Sequence, residues 1–252
     1  MSVFCIYLYH TKIIDKLKTA VPNPYFQFKQ FTVFHDQCAM KVGTDGVLLG
    51  AWANCSTASH ILDAGTGSGL IALMLAQRSK ALIDALDIDE GACRQVKFNV
   101  ENSKFKDQIH IIHSDFKDFT SDKKYDLIVS NPPYFSNSLQ APDKRRSLAR
   151  HNHALSFEEL IGKSASLLTE KGTISLILPV DAENVIHSCA GNNGLFLCRK
   201  TFVRSKPEIP PKRILIEYSK IDNIPEISAL YIEKERHVYG DEFRKLTEEF
   251  YL

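Results

Sequence analysis

From His60 onward, short apolar runs alternate with stretches whose apolar positions recur at helical spacing. "HILDAG" reads as a strand and "LIALMLAQRSK" as a helix, then "ALIDALDI" as a strand and "EGACRQVKFNVENSKF" as a helix. "QIHIIHSD" and "YDLIVSN" are two further strands. "FEELIGKSASLL" is a helix, with Ser156 and Glu159 placed to form a capping box. "GTISLILP" is a fifth strand. These runs are apolar on both faces, and their alternation with helices predicts a parallel, doubly wound α/β sheet. The ending breaks the rhythm. "LFLCRKTFVRS" and "KRILIEYSK" are β runs joined by "KPEIPP", with no room for a helix, so they pair antiparallel. In "GDEFRKLTEEFYL", Phe243, Leu246 and Phe250 have helical spacing and predict a short packed helix. Ahead of the sheet, "YFQFKQFTVF" predicts β structure and "TDGVLLGAWA" a helix with Thr44 or Asp45 as N-cap. The chain therefore divides into a β-rich segment over residues 1–54, with a helix at its end, and a main domain over 55–252.

Composition narrows the classes. The 252 residues are 44% hydrophobic and 24% charged, which is ordinary for a globular chain. A net charge of +1 gives no overall basic signature, so a nucleic-acid partner would be met by a local patch. The 6 cysteines form no C-x-x-C pair and no His pair stands at zinc spacing, so no metal is expected. Scattered cysteines suit a reducing cytosol. "VFCIYLY" near the start has no basic flank or cleavage site, and His10 and Lys12 interrupt it too soon for a membrane span. The expectation is a cytoplasmic protein with no membrane partner. The oligomeric state is left open, and a monomer suffices.

The chemistry gathers after the strands. "LDAGTGSGLIAL" follows the first strand with Asp63 and then Gly65, Gly67 and Gly69. A dinucleotide fingerprint needs its third glycine where this chain has Leu70. Glycines after a strand can be no more than a tight turn, but they also let a ligand approach the backbone. Asp87 ends the next strand, about twenty residues on, where a carboxylate accepts from ribose hydroxyls. Asp115 ends the third strand and can reach an exocyclic amine, with Ile88 and Phe116 as apolar faces. Together these describe a site for an adenosine-bearing cofactor that needs no pyrophosphate.

The fourth strand ends in "SNPPYF". Proline cannot join a sheet ladder, so the strand stops there. The Asn131 amide oxygen and the Pro132 carbonyl are two acceptors that Pro132 and Pro133 stiffen. Such a pair can grip both hydrogens of a conjugated –NH2 group, localise its lone pair and stabilise the positive charge that develops on attack. Tyr134 can stack on the flat substrate.

In this order "LDAGTGSG", "ALDID", "HSD" and "NPPY" resemble the class I S-adenosylmethionine-dependent methyltransferases that act on exocyclic or amide nitrogen. The resemblance implies a Rossmann-like sheet of seven strands, mostly parallel with an antiparallel last strand, and S-adenosylhomocysteine as product. It makes 55–252 the catalytic domain and puts Thr44, Asp63, Gly65, Gly67, Gly69, Asp87, Ile88, Asp115, Phe116 and Asn131 at the cofactor. "NPPY" is shared by adenine-N6 enzymes and by protein glutamine N5-methyltransferases. "FQFKQFTVFHDQCAMKVGTDGVLLGAWA" and the ending "EFRKLTEEFYL" resemble the bacterial tRNA (adenine-N6)-methyltransferases that modify adenosine-37 of valine tRNA. The glutamine enzymes carry a longer helical N-terminal domain, whereas the segment here is short and β-rich. A tRNA partner would be met by Lys144, Arg145, Arg146 and Arg150 after "NPPY", and by Arg204, Lys206, Lys212 and Arg213 on a second loop. His151 and His153 have no carboxylate or Cys at their spacing and read as phosphate or packing residues.

Overall fold

The computed structural model describes residues 23–38, 40–133, 155–235 and 238–252. An antiparallel hairpin of β1 (Tyr25–Gln27) and β2 (Thr32–Phe34) leads to helix α1 (Thr44–Trp52). Then come β3 (His60–Ala64), α2 (Leu70–Arg78), β4 (Leu82–Asp87), α3 (Glu90–Glu101), β5 (Ile109–His113) and β6 (Tyr125–Ser130). After them follow α4 (Phe157–Leu167), β7 (Leu168–Pro179), α5 (Glu183–Asn192), β8 (Phe196–Arg204) and β9 (Arg213–Ser219). The chain closes with β10 (Glu226–Tyr231), a small hairpin of β11 (Glu233–Glu235) and β12 (Val238–Tyr239), and α6 (Asp241–Thr247).

The main sheet has 8 strands in the order β10-β8-β9-β7-β6-β3-β4-β5. Successive side chains point to opposite faces, and here each face meets helices. Ile61, Ile83, Leu127 and Val129 enter a core shared with α1, α2 and the β1–β2 hairpin. Leu62, Leu86, Ile128, Leu176 and Ile216 enter a second core under α4 and α5. This accounts for the uninterrupted apolar runs in the sequence. β9 is antiparallel to both β7 and β8, as the short "KPEIPP" link requires. The pattern did not single out α5 or the edge strand β10, which pairs parallel to β8. Four of the six β10 residues are exposed, so burial left little period in the sequence.

Ser156 and Glu159 do form the capping box of α4. The N-cap of α1 is Gly43 rather than Thr44 or Asp45, and it has no side-chain cap bond. The Asp45 carboxylate is drawn away by Arg213, whose Nε lies 2.8 Å from Oδ2. The tail is helical as its spacing predicts only as far as Thr247; Phe250 lies in the turn beyond the helix but is buried like Phe243, and Leu246 is half-buried. The tail also holds the N-terminal hairpin, because the Lys29 N–H donates to the Phe250 carbonyl at 2.8 Å and the Tyr251 ring stacks on Phe28.

Candidate active site

The chain runs β3, β4, β5 to one side and then crosses back to place β6 beside β3. The crevice outside the carboxyl ends of strands at such a reversal is where open α/β sheets bind ligands. Here it contains a cavity of about 320 Å³ lined by Gly65, Gly67, Asp87, Ile88, Asp115, Phe116, Asn131, Pro132 and Pro133 among others. The Ser130 hydroxyl donates to the Ala64 carbonyl at 2.7 Å and pins the ends of β6 and β3 together.

The glycine loop is shaped by conformations that only glycine adopts easily. Gly65 and Gly67 have φ of 78° and 56°. A Cβ on either would meet no protein atom within 4 Å, so the loop offers bare backbone to open space. At Gly69, by contrast, a Cβ would come within 2.5 Å of Val96 Cγ2, so this glycine serves the packing of α2 on α3. Asp87 fastens the loop from below. Its Oδ2 accepts from the Gly67 N–H at 2.8 Å and its Oδ1 from the Asp89 N–H at 2.9 Å. Each oxygen keeps a further lone pair for a ligand hydroxyl. Asp115 Oδ1 accepts from the Lys117 N–H at 2.9 Å, and Oδ2 lies 3.6 Å from the Lys117 ammonium. Phe116 is buried while Ile88 is open on one side.

Three expected site residues stand apart. Thr44 is exposed at the start of α1, and neither Thr44 nor Gly69 is among the residues around the cavity. Asp63 is fully buried beneath the loop. Its Oδ2 accepts from the Thr66 hydroxyl at 2.7 Å and the Ala72 N–H at 3.1 Å. Its Oδ1 has no partner among the described residues. Burial pushes the carboxyl up to about 7; the bonds from Thr66 and Ala72 oppose the shift, and the neighbouring Asp87 charge adds to it. Between the ordinary Asp range and pH 7 the folded state therefore holds a proton that the unfolded state has released. Stability falls as pH rises through that window, and the penalty is complete above it. Asp63→Asn should flatten this dependence. The melting temperature of the variant, relative to the parent, should gain more at pH 8 than at pH 5. An equal difference at both pH values would contradict the assignment.

Of the second basic set, Lys212 is exposed and Lys206 half-buried. Arg204 donates to the carbonyls of Pro207 and Ile209 at 3.4 and 3.5 Å, and Arg213 is held by Asp45. Arg204 ends β8, which runs parallel to β6, so this loop shares the active edge. Tyr134, Lys144, Arg145, Arg146, Arg150, His151 and His153 lie outside the described residues. Cys38, Met40 and Leu155 line the cavity although no motif marked them. Leu155 precedes the Ser156 cap, so the capping signal already placed it on the edge where α4 starts. Cys38 and Met40 come from the link between β2 and α1, which has no periodicity to read. Among the described residues no three His, Cys, Asp or Glu side chains are grouped to hold a metal ion. None of their helices is long and apolar enough to cross a membrane.

Residues 40–185 match the methyltransferase small domain family. The tRNA1(Val) (adenine(37)-N6)-methyltransferase of Phocaeicola vulgatus is 50% identical over 92% of this chain and 99% of its own. The protein of the same name from Parabacteroides distasonis is 50% identical over 91% and 98%. Among solved structures, a predicted O-methyltransferase from Agrobacterium tumefaciens superposes with a TM-score of 0.64 at 19% identity, covering 82% of this chain and 96% of that one. At that identity the likeness speaks for the fold alone.

Proposed function

The chain belongs to the methyltransferase small domain family and, within it, to the tRNA1(Val) (adenine(37)-N6)-methyltransferases, and from this premise we propose that it methylates N6 of an adenine in tRNA, adenosine-37 beside the anticodon of valine tRNA. The observation that carries the reading is the meeting of Asn131 and Pro132 with the Asp87-held glycine loop around one cavity. The bare backbone at Gly65 and Gly67 and the free lone pairs of Asp87 fit S-adenosylmethionine, which supplies an electrophilic methyl group when bound. Asp87 would take the ribose hydroxyls. Asp115 would take the exocyclic amine of the cofactor's adenine, and Ile88 and Phe116 would supply apolar surface for its ring.

The target base leaves its stack to reach the cavity, as base-modifying enzymes require. Asn131 Oδ1 and the Pro132 carbonyl then accept the two N6 hydrogens, and Tyr134 supports the ring. Pro132 and Pro133 hold these acceptors rigid, so little reorganisation is needed as charge develops on N6. The N6 proton passes to water afterwards. We read the protein as a monomer acting in the cytoplasm, where its tRNA substrate is found. Methylation of a glutamine amide could use the same two acceptors, but both relatives above are tRNA enzymes. The test is a pair of unmodified valine tRNA transcripts, one carrying G at position 37. Transfer to the parent alone supports the reading; equal transfer to both, or to neither, contradicts it.

The basic run after "NPPY" is assigned to the tRNA backbone. Replacing Arg145 and Arg146 together with Ala should weaken tRNA binding and leave cofactor affinity unchanged. Each phosphate contact contributes about 0.9 to the slope of log affinity against log salt, so that slope should fall by up to about two. An unchanged slope would make the run a solvated surface.

A further inference from the structure

Helix α3 carries two side chains that the site described above does not use. Gln95 and Asn99 stand four residues apart and share one helix face. They are only 1% and 0% exposed. Burying an amide is unfavourable unless its polar atoms find partners, so their partners are informative. Asn99 Oδ1 accepts from the Phe34 N–H at 2.9 Å. Its Nδ2 donates to the Phe34 carbonyl and to the Ser68 carbonyl, both at 2.8 Å. Phe34 ends β2, and Ser68 lies in the glycine loop between Gly67 and Gly69. One buried amide thus joins the N-terminal hairpin to that loop. Gln95 Oε1 accepts from the Gln37 N–H at 2.8 Å, one residue before Cys38, which lines the cavity with Met40. Between the two amides, Val96 packs against Gly69 at the end of the loop. A single helix face therefore holds two walls of the cavity, the glycine loop and the one to which Cys38 and Met40 belong.

We propose that Asn99 and Gln95 are positioning residues of the cofactor site, fixing how the glycine loop and the wall bearing Cys38 and Met40 face each other. Docking of the hairpin and affinity for the cofactor are then one coupled property. The inference rests on the reading of this cavity as the cofactor site. Gln95 Nε2 has no partner among the described residues, so Gln95→Met deletes one hydrogen bond and strands no polar atom on its own side chain. Asn99→Ala deletes three.

The test is calorimetric titration with S-adenosylhomocysteine, well below the melting temperature, alongside tRNA binding without cofactor. In Asn99→Ala the dissociation constant for S-adenosylhomocysteine should rise about tenfold or more, and in Gln95→Met about threefold, as expected for lost net hydrogen bonds. tRNA affinity should stay within about twofold, the margin for sites that do not couple. A merely structural role would lower the melting temperature and leave the affinity of the folded protein unmoved. Should Asn99→Ala not fold, Gln95→Met decides alone. Parent-like S-adenosylhomocysteine affinity in the folded variants overturns the inference. Asp87→Ala serves as the reference: if it also binds normally, the reading of the cavity itself falls, and if it alone loses binding, only the positioning role does.

Discussion

Asn131→Ala should bind S-adenosylmethionine like the parent and lose methyl transfer by about 10²–10³-fold, the scale of removing one preorganised donor from an oxyanion hole. Asn131 follows the last residue of β6 at the cavity, and its amide is proposed to act mainly on the target –NH2. The loss therefore belongs in the single-turnover rate constant, with binding of either substrate little changed. Asn131→Asp keeps an acceptor oxygen but adds a charge and removes the amide donor, so partial activity is expected. Tyr134→Phe keeps the ring face and should be tolerated. Tyr134→Ala should lose about 1–3 kcal/mol of stacking. A folded Asn131→Ala enzyme with near-normal single-turnover transfer to tRNA would reduce "NPPY" to a proline-stiffened turn.

The second large effect is expected at Asp87. A lost hydrogen bond to a charged group is worth about 1.5–3 kcal/mol, roughly ten- to a hundredfold in affinity. Asp87→Ala should reach the upper end of that range for S-adenosylmethionine. Besides the ribose acceptor, it removes the partners of the Gly67 and Asp89 N–H groups, so the loop loses its anchor with the ligand. tRNA binding without cofactor should hold, because the basic residues assigned to the phosphates are untouched. Calorimetry that finds unchanged S-adenosylmethionine affinity would remove Asp87 from the cofactor site.

Much of this arrangement could be read from the chain because strand ends are marked by residue type. Buried parallel strands appear as apolar runs, and Gly65, Asp87, Asp115 and Asn131 each stand where a run stops. One rule about sheet edges then puts them together. What stayed hidden depends on tertiary contacts. Asp63 fits the same strand-end logic, yet it lies under the loop bonded to Thr66 and Ala72; the sequence does not say which way a side chain turns. Thr44 looked like a cap, but the α1 terminus is set by Gly43 and by the distant Arg213 that engages Asp45. Cys38, Met40, Gln95 and Asn99 reach the site through the fold of the N-terminal hairpin on α3, which leaves no periodic trace. β10 was missed because an exposed edge strand has no apolar alternation to announce it.

The central claim is that this sheet edge methylates N6 of adenine in tRNA. Its most direct measurement uses unmodified valine tRNA incubated with the enzyme and methyl-labelled S-adenosylmethionine, then digested for mass spectrometry of nucleosides and of anticodon-loop fragments. The account predicts that the label appears as N6-methyladenosine in the fragment containing position 37, and that at matched early times it falls by about 10²–10³-fold when Asn131→Ala replaces the parent enzyme. Label on another base or another atom of adenine, or no label in tRNA together with transfer to a glutamine side chain of a protein, would contradict it.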